Sequence, residues 1–272
     1  MIGDLTHLTS TLYYKVLSTS AIFDSARQKL IRAKQHTVEL ESMEKSFFET
    51  ESSGVIRETE PATGDQFVKI RFRHTIPLEM SSVVSDIANN LRDALDHIGY
   101  ATAIAGGKSD TKCANFPFGK TSEDLEHSIR RRSKDIPNDI LALFRAFKPY
   151  KGGNDLLYAL NSIANTKKHR VLSPMAVSTG GIYFKSARVS GGSLTMPFGF
   201  GWNSGKNEIE LMRCGKNAKL DYSMEVTVVI AFDKSILGAE YPAGPMFDEI
   251  TSEVEMILTS VEAECRRIGL II

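Results

Sequence analysis

From Ser20 to Glu49 the chain contains neither glycine nor proline, and Ile22, Phe23, Ala26, Leu30, Ala33, Val38, Leu40, Met43, Phe47 and Phe48 recur at helical spacing. Such a stretch reads as one long helix, and a helix of that length needs neighbours to cover its apolar side. Two further stretches supply them. Pro77 opens a second helix, with Val84, Ile87, Ala88, Leu91, Leu95, Ile98 and Thr102 on one stripe, ending at Gly106-Gly107. A third runs from Pro245 to about Arg267 through Phe247, Ile250, Val254, Ile257, Leu258, Val261 and Cys265.

Shorter helices are predicted over Ser122–Arg131, with Ser122 as cap, over Pro137–Phe147, and from Asp155 to about Lys168. Strand texture appears in two places. Residues 54–73 read as a β-hairpin with Val68, Ile70 and Phe72 on one face and Phe67, Lys69, Arg71 and Arg73 on the other. Between Arg170 and Lys234 alternating segments punctuated by Gly, Ser and Asn predict four to six antiparallel strands, with turns at Gly180-Gly181 and Gly191-Gly192. The expected fold is therefore α+β: one domain over residues 1–272, with a four-helix-type bundle from 20–170 and 243–268, the hairpin, and an antiparallel sheet inserted at 171–234.

The 33 basic residues balance the 33 acidic ones, so no overall field draws this chain to nucleic acid or an anionic membrane, and any such contact has to be local. Cys113, Cys214 and Cys265 lack metal-site or disulfide spacing. They read as reduced thiols of a cytoplasmic protein. No stretch has the ~18 apolar residues of a membrane span, so no membrane partner is expected.

Chemistry concentrates on the second helix, in Arg92-Asp93-Ala94-Leu95-Asp96-His97. A guanidinium holds a phosphate and an imidazole moves a proton near neutral pH, the two parts a metal-independent ribonuclease needs. At 100° per residue, Arg92 falls at one flank of the apolar stripe and His97 about 140° away on the polar side. One helix cannot aim both at one atom unless the long Arg side chain wraps round it or a second copy supplies the partner, and a shared site between two copies is the expectation. The same count places Asp86, Asn90, Asp93 and His97 on one strip, with Asp93 one turn before His97 and in position to orient its ring.

This motif resembles the Arg, polar residue, spacer, His signature of the HEPN superfamily, helical-bundle proteins many of which are dimeric ribonucleases. The order of an LRxALDH helix, a Phe-Pro-Phe loop, a Pro-Tyr break and a helix ending in Lys-His-Arg is also similar to that of uncharacterised bacterial proteins. Those proteins carry an acidic residue before the Lys-His-Arg where this chain has Thr166-Lys167. The resemblance implies a homodimer that cleaves single-stranded RNA without a cofactor, in a toxin or defence setting. His97 would act on the 2′-hydroxyl or leaving oxygen, Arg92 would stabilise the phosphorane, and Asp93 would orient His97.

Asn90, together with Asn165, Lys168, His169 and Arg170 at the end of a later helix, would contact the RNA phosphates. The competing reading of that second cluster is a helix C-terminal cap. For the motif it is an Arg92–Asp96 pair one turn apart and a His97 that is simply a surface or interface polar group. No metal constellation or phosphate-cradling glycine loop is present in the sequence. A non-catalytic dimeric sensor, or a protein that binds a ligand or partner, is the alternative function.

Overall fold

The computed structural model describes residues 21–50, 54–166, 175–196, 202–232, 238 and 241–272. The protein is α+β, with helices α1 (Asp24–Thr50), α2 (Leu78–Ala105), α3 (Ser122–Arg132), α4 (Asn138–Ala146), α5 (Asp155–Thr166) and α6 (Ala243–Arg267). The strands are β1 (Gly54–Thr59), β2 (Gln66–Arg71), β3 (Met175–Ser190), β4 (Leu194–Thr195), β5 (Trp202–Asn203), β6 (Glu208–Cys214), β7 (Lys219–Phe232) and β8 (Tyr241–Pro242). None of the helices among the described residues is long and apolar enough to cross a membrane.

The three long helices stand where hydrophobic periodicity placed them. A turn of 3₁₀ helix, Ala21–Phe23, leads into α1, and the buried positions then follow a strict three-four repeat: Phe23, Ala26, Leu30, Ala33, Thr37, Leu40 and Phe47. Val38, expected in the core, is 65% exposed because that repeat passes through Thr37 instead. Glu44 fills the step between Leu40 and Phe47 and accepts the Ile230 backbone N–H at 2.9 Å. Between Met80 and Thr102, only Ser82 and Tyr100 of α2 are exposed. A helix covered on nearly every side has to give each charged side chain a partner or an opening. At α3 the cap is Thr121 rather than Ser122, its hydroxyl accepting the Asp124 N–H at 3.2 Å.

By its internal contacts the chain divides into two compact units whose boundaries fall inside long helices. The helical unit takes the described residues up to Gln35 with Asp86–Ala164 and Asp248–Ile272. Its core holds Leu30, Ile87, Leu91, Leu95, Ile98, Ile140, Leu160, Ile257 and Val261, all at most 4% exposed. Phe116 packs 4.6 Å from Phe144 and 5.1 Å from Phe118, ring centre to ring centre. Cross-links between helices are ionic: Arg27 to Glu262, Lys34 to Glu255 and the fork of Arg145 on Glu126.

The second unit, His36–Ser85 with Asn165–Phe247, contains both sheets. The hairpin is antiparallel as expected, and its register sets Gly54 opposite Arg71 and Thr59 opposite Gln66. Val68, Ile70 and Phe72 are buried and Lys69 and Arg71 face the other way. Its second strand also pairs antiparallel with β6, giving the order β1-β2-β6-β4 with β5 on β6. The hairpin and the later strands thus form one sheet, an association across 140 residues that alternation in the sequence cannot announce. The other sheet is β3-β7-β8. Gly180-Gly181 is not a turn: it lies inside β3 at a bulge, where a side chain at 180 would press on Val229 and Thr227.

Candidate functional site

The motif occupies the middle of α2, inside the helical unit. Gly99, two residues beyond it, decides what lies opposite. A Cβ there would stand 2.2 Å from the Ala114 carbonyl oxygen, so only glycine lets the segment around Ala114 run directly against the helix. That segment is pinned on its far side as well. Asn115 N–H donates to the Arg132 carbonyl at 3.0 Å, the Ser133 hydroxyl donates to the Asn115 carbonyl at 2.6 Å, and Asp135 N–H donates to the Cys113 carbonyl at 3.1 Å. The Thr111 hydroxyl donates to the Asp135 carboxylate.

Between α2 and this segment lies a cleft of about 440 Å³, lined by Asp96, His97, Tyr100, Thr111, Lys112 and Asn115, with Ser25 from α1 and Ala114 completing it. Its volume is in the range of small-ligand sites. Tyr100 lines the cleft and is 43% exposed. No described residue forms an ion pair with Lys112 or a hydrogen bond with the His97 ring. The single carboxylate in the wall, Asp96, is already engaged: Oδ1 accepts the Phe116 N–H at 2.9 Å and the Asn115 side chain also bonds it. Burial raises the Asp96 carboxyl above its ordinary value although the Arg92 charge beside it pulls the other way. The groups left to meet a ligand are an ammonium, an imidazole and a phenol, a set that favours an anion.

Arg92 does not reach this cleft. Its side chain is 18% exposed, its guanidinium lies 4.2 Å above the Phe118 ring, and Nη1 donates to the Asn161 side-chain oxygen. Asp96 Oδ2 stands 3.7 Å from Arg92 Nε, an ion pair one helical turn apart without a hydrogen bond. Burial lowers the Arg92 pKa from its usual value, with the Asp96 charge opposing and the nearby Arg132 adding to the effect. Phe118 and Asn161 belong to the wall of a second, polar cavity of about 380 Å³, together with Gly119, Lys120 and Asp124.

The remaining sequence-expected residues separate in the same way. Asp93 accepts from Lys29 Nζ at 2.7 Å, which places its carboxylate against α1 rather than against His97. Asn90 turns back on its own helix and donates to the Asp86 carbonyl at 2.8 Å. Asn165 is exposed on the last turn of α5, while Lys168, His169 and Arg170 lie outside the described residues. Tyr100, Lys112 and Asn115 were not singled out by the sequence. The signal that leads to them is Gly99, a glycine within a strongly periodic helix, which marks the close approach of another backbone.

Among the described residues no group of three His, Cys, Asp or Glu side chains is placed to hold a metal ion. Burial pushes the Cys265 thiol up to about 11, so it is not a nucleophile near neutral pH. Compared with models of protein families, with curated proteins and with solved structures, the chain matches none.

Proposed function

We propose that the helical unit is a binding module for an anionic ligand of the nucleotide and single-stranded RNA class, seated in the His97 cleft. The observation that carries this reading is the joint presence of Lys112, His97 and Tyr100 in one cleft from which the Arg92 guanidinium is diverted. A phosphate placed near Lys112 and His97 leaves a base within reach of the Tyr100 ring, the combination of charge and stacking that single-stranded nucleic acid uses. Asn115, held by Asp96, borders the same space. With Arg92 committed to Phe118 and Asn161, binding needs fewer assumptions than cleavage does.

The test is fluorescence anisotropy with a labelled single-stranded RNA oligonucleotide in EDTA. Binding by the wild type is expected, with affinity reduced about tenfold in Lys112→Ala and in Tyr100→Ala, as loss of one charged or stacking contact predicts. Unchanged affinity in both variants and in His97→Ala would sink the reading.

A second reading is favoured by one feature, the His97 ring facing the cleft without a hydrogen bond from any described residue. In it the protein is a HEPN-like, metal-independent endoribonuclease, a cytoplasmic homodimer built on a four-helix arrangement and acting as a toxin or defence effector. His97 then moves a proton at the 2′-hydroxyl or leaving oxygen, and the cation beside it is Lys112, or Arg92 of a second copy. Gel analysis of the same incubation separates the two readings: cleavage that disappears in His97→Ala establishes the enzyme, and intact RNA at full binding establishes the binding module.

A further inference from the structure

Burying a guanidinium is costly unless its surroundings repay the lost hydration, and Arg92 bears that cost without lining the His97 cleft. Its contacts with Phe118 and Asp96 both bear on one stretch of chain. Phe118, under the guanidinium at 4.2 Å, belongs to that stretch itself. Asp96, 3.7 Å from Nε, reaches the residues just before it: Oδ1 accepts the Phe116 N–H at 2.9 Å, and the Asn115 side chain bonds the same carboxylate. Asn161 ties the end of the guanidinium to α5.

The same stretch runs directly into the cleft wall, where Thr111, Lys112, Ala114 and Asn115 line the space beside His97. From α2 it is held by Asp96. An ionised carboxylate is a stronger acceptor than a neutral acid, but burial favours the neutral form of Asp96, and the charge that opposes burial most is Arg92. Arg92 Nε is buried without an acceptor, so the guanidinium acts on Asp96 through its charge and not through a hydrogen bond. The other charges near the pair are Asp93 on the same helix and Arg132 at the end of α3, while His97 and Lys112 line the same cleft as Asp96.

We propose that Arg92 is a positioning residue of the His97 cleft, holding the 111–118 wall in its binding shape through Asp96 and Phe118 without touching the ligand. Arginine and histidine of one motif then serve one cleft, His97 at the ligand and Arg92 one contact removed from it. The rigid guanidinium plane suits this role, because it can lie on the Phe118 ring and present its charge to Asp96 at once. The step from Arg92 to ligand affinity rests on the cleft being the anion site proposed above. The step from Arg92 to the shape of the wall does not.

The experiment joins two readouts on the whole chain. In ¹H–¹⁵N NMR over a pH series, the Phe116 amide and the Arg92 Nε–H of the wild type are expected to move together, with a midpoint above the usual aspartate value of 3.8. In Arg92→Met, which keeps the stem and removes the charge, the Phe116 midpoint should rise further and the Lys112 and Asn115 amides should shift. Arg92→Lys restores the charge and should bring the midpoint back toward the wild type. In anisotropy with labelled single-stranded RNA, Arg92→Met should bind about tenfold more weakly, the low end of what loss of an orienting partner costs at metal sites. The slope of log affinity against log salt concentration should stay unchanged, whereas loss of a phosphate contact would flatten it by about 0.7. The assignment is overturned if the Phe116 midpoint is the same in wild type and Arg92→Met, if the affinity is unaffected, or if the slope flattens. Should Arg92→Met fail to fold, the wild type decides: a Phe116 amide that does not follow the Arg92 Nε–H overturns the assignment equally. RNA binding absent from the wild type removes the anion-site reading and the affinity step with it, while the Phe116 midpoints still decide the role of Arg92 in the wall.

Discussion

A methyl group at position 99 would lie 2.2 Å from the Ala114 carbonyl oxygen, closer than any non-bonded carbon and oxygen can stand. Helix α2 or the segment at Ala114 would have to move, and the neighbour is backbone rather than a flexible side-chain tip. Overpacking of this kind costs about 1–3 kcal/mol. Gly99→Ala should therefore lower the urea midpoint of unfolding while its helical circular dichroism stays near that of the wild type. It should also weaken ligand binding in the His97 cleft more than the stability loss alone explains, since Lys112 and Asn115 sit on the displaced wall. A variant that melts and binds like the wild type would mean the two backbones are not in contact. Glycine in a helix is legible from sequence, but the backbone that it admits is not. For that reason the motif pointed to Arg92 and His97 while Tyr100 and Lys112, which share the His97 cleft, stayed hidden. Asp93 shows the same limit: one turn from His97 on the helix, it is drawn away by Lys29, a residue 64 positions earlier.

At the scale of elements, strand β2 is the one that ties distant parts of the chain together. Lys69 and Arg71 on its outward face both reach Glu58 on β1 and Glu208 on β6, with Lys69 Nζ 3.0 Å and Arg71 Nη2 2.8 Å from the Glu208 oxygens. The Glu208 side chain is only 6% exposed, so burial works to raise its pKa, but the hydrogen bonds from Arg71 and Lys69 prevail and hold it below the usual glutamate value of 4.5. Glu58 is lowered as well, chiefly by its hydrogen bond from Arg71. Carboxylates with depressed pKa stabilise the fold above their unfolded value and lose that contribution as pH falls through the folded one.

The urea midpoint of the wild type should accordingly drop on acidification below pH 4.5, and Glu208→Gln should flatten that dependence. Glu208→Ala, which leaves two cations on a largely buried carboxylate site, is expected to cost about 3 kcal/mol at neutral pH. Equal acid sensitivity in wild type and Glu208→Gln would remove Glu208 from the account. The strands themselves were readable, because Val68, Ile70 and Phe72 alternate with Lys69 and Arg71. Their partner was not: which later strand takes up β2 depends on Glu208 meeting Lys69 and Arg71 and on the buried Ile70 coming opposite the buried Ile209. The same holds in α1, where a polar Glu44 at a core position makes sense only once the Ile230 N–H is seen in front of it.

For the molecule as a whole, charge is what limits the mode of binding. With 33 basic and 33 acidic residues the chain offers an RNA no general attraction, and the affinity has to come from a few placed cations and from stacking. Several cations of the helical unit are spent within it: Arg27 on Glu262, Lys29 on Asp93, Lys34 on Glu255, Arg145 on Glu126. Lys112 and Lys120 each line a cavity and have no ion-pair partner among the described residues. Each phosphate neutralised on a single strand contributes about −0.7 to the slope of log affinity against log salt concentration. The one lysine of the His97 cleft, Lys112, predicts a slope of about −0.7, far shallower than that of a protein with a broad basic face. Anisotropy titrations across a series of potassium chloride concentrations measure it. Lys112→Ala should flatten the slope by nearly one contact, while Tyr100→Ala should shift every point to weaker binding and leave the slope unchanged, because stacking releases no counterions. A slope several times steeper would place the RNA on a basic surface elsewhere and remove it from the His97 cleft.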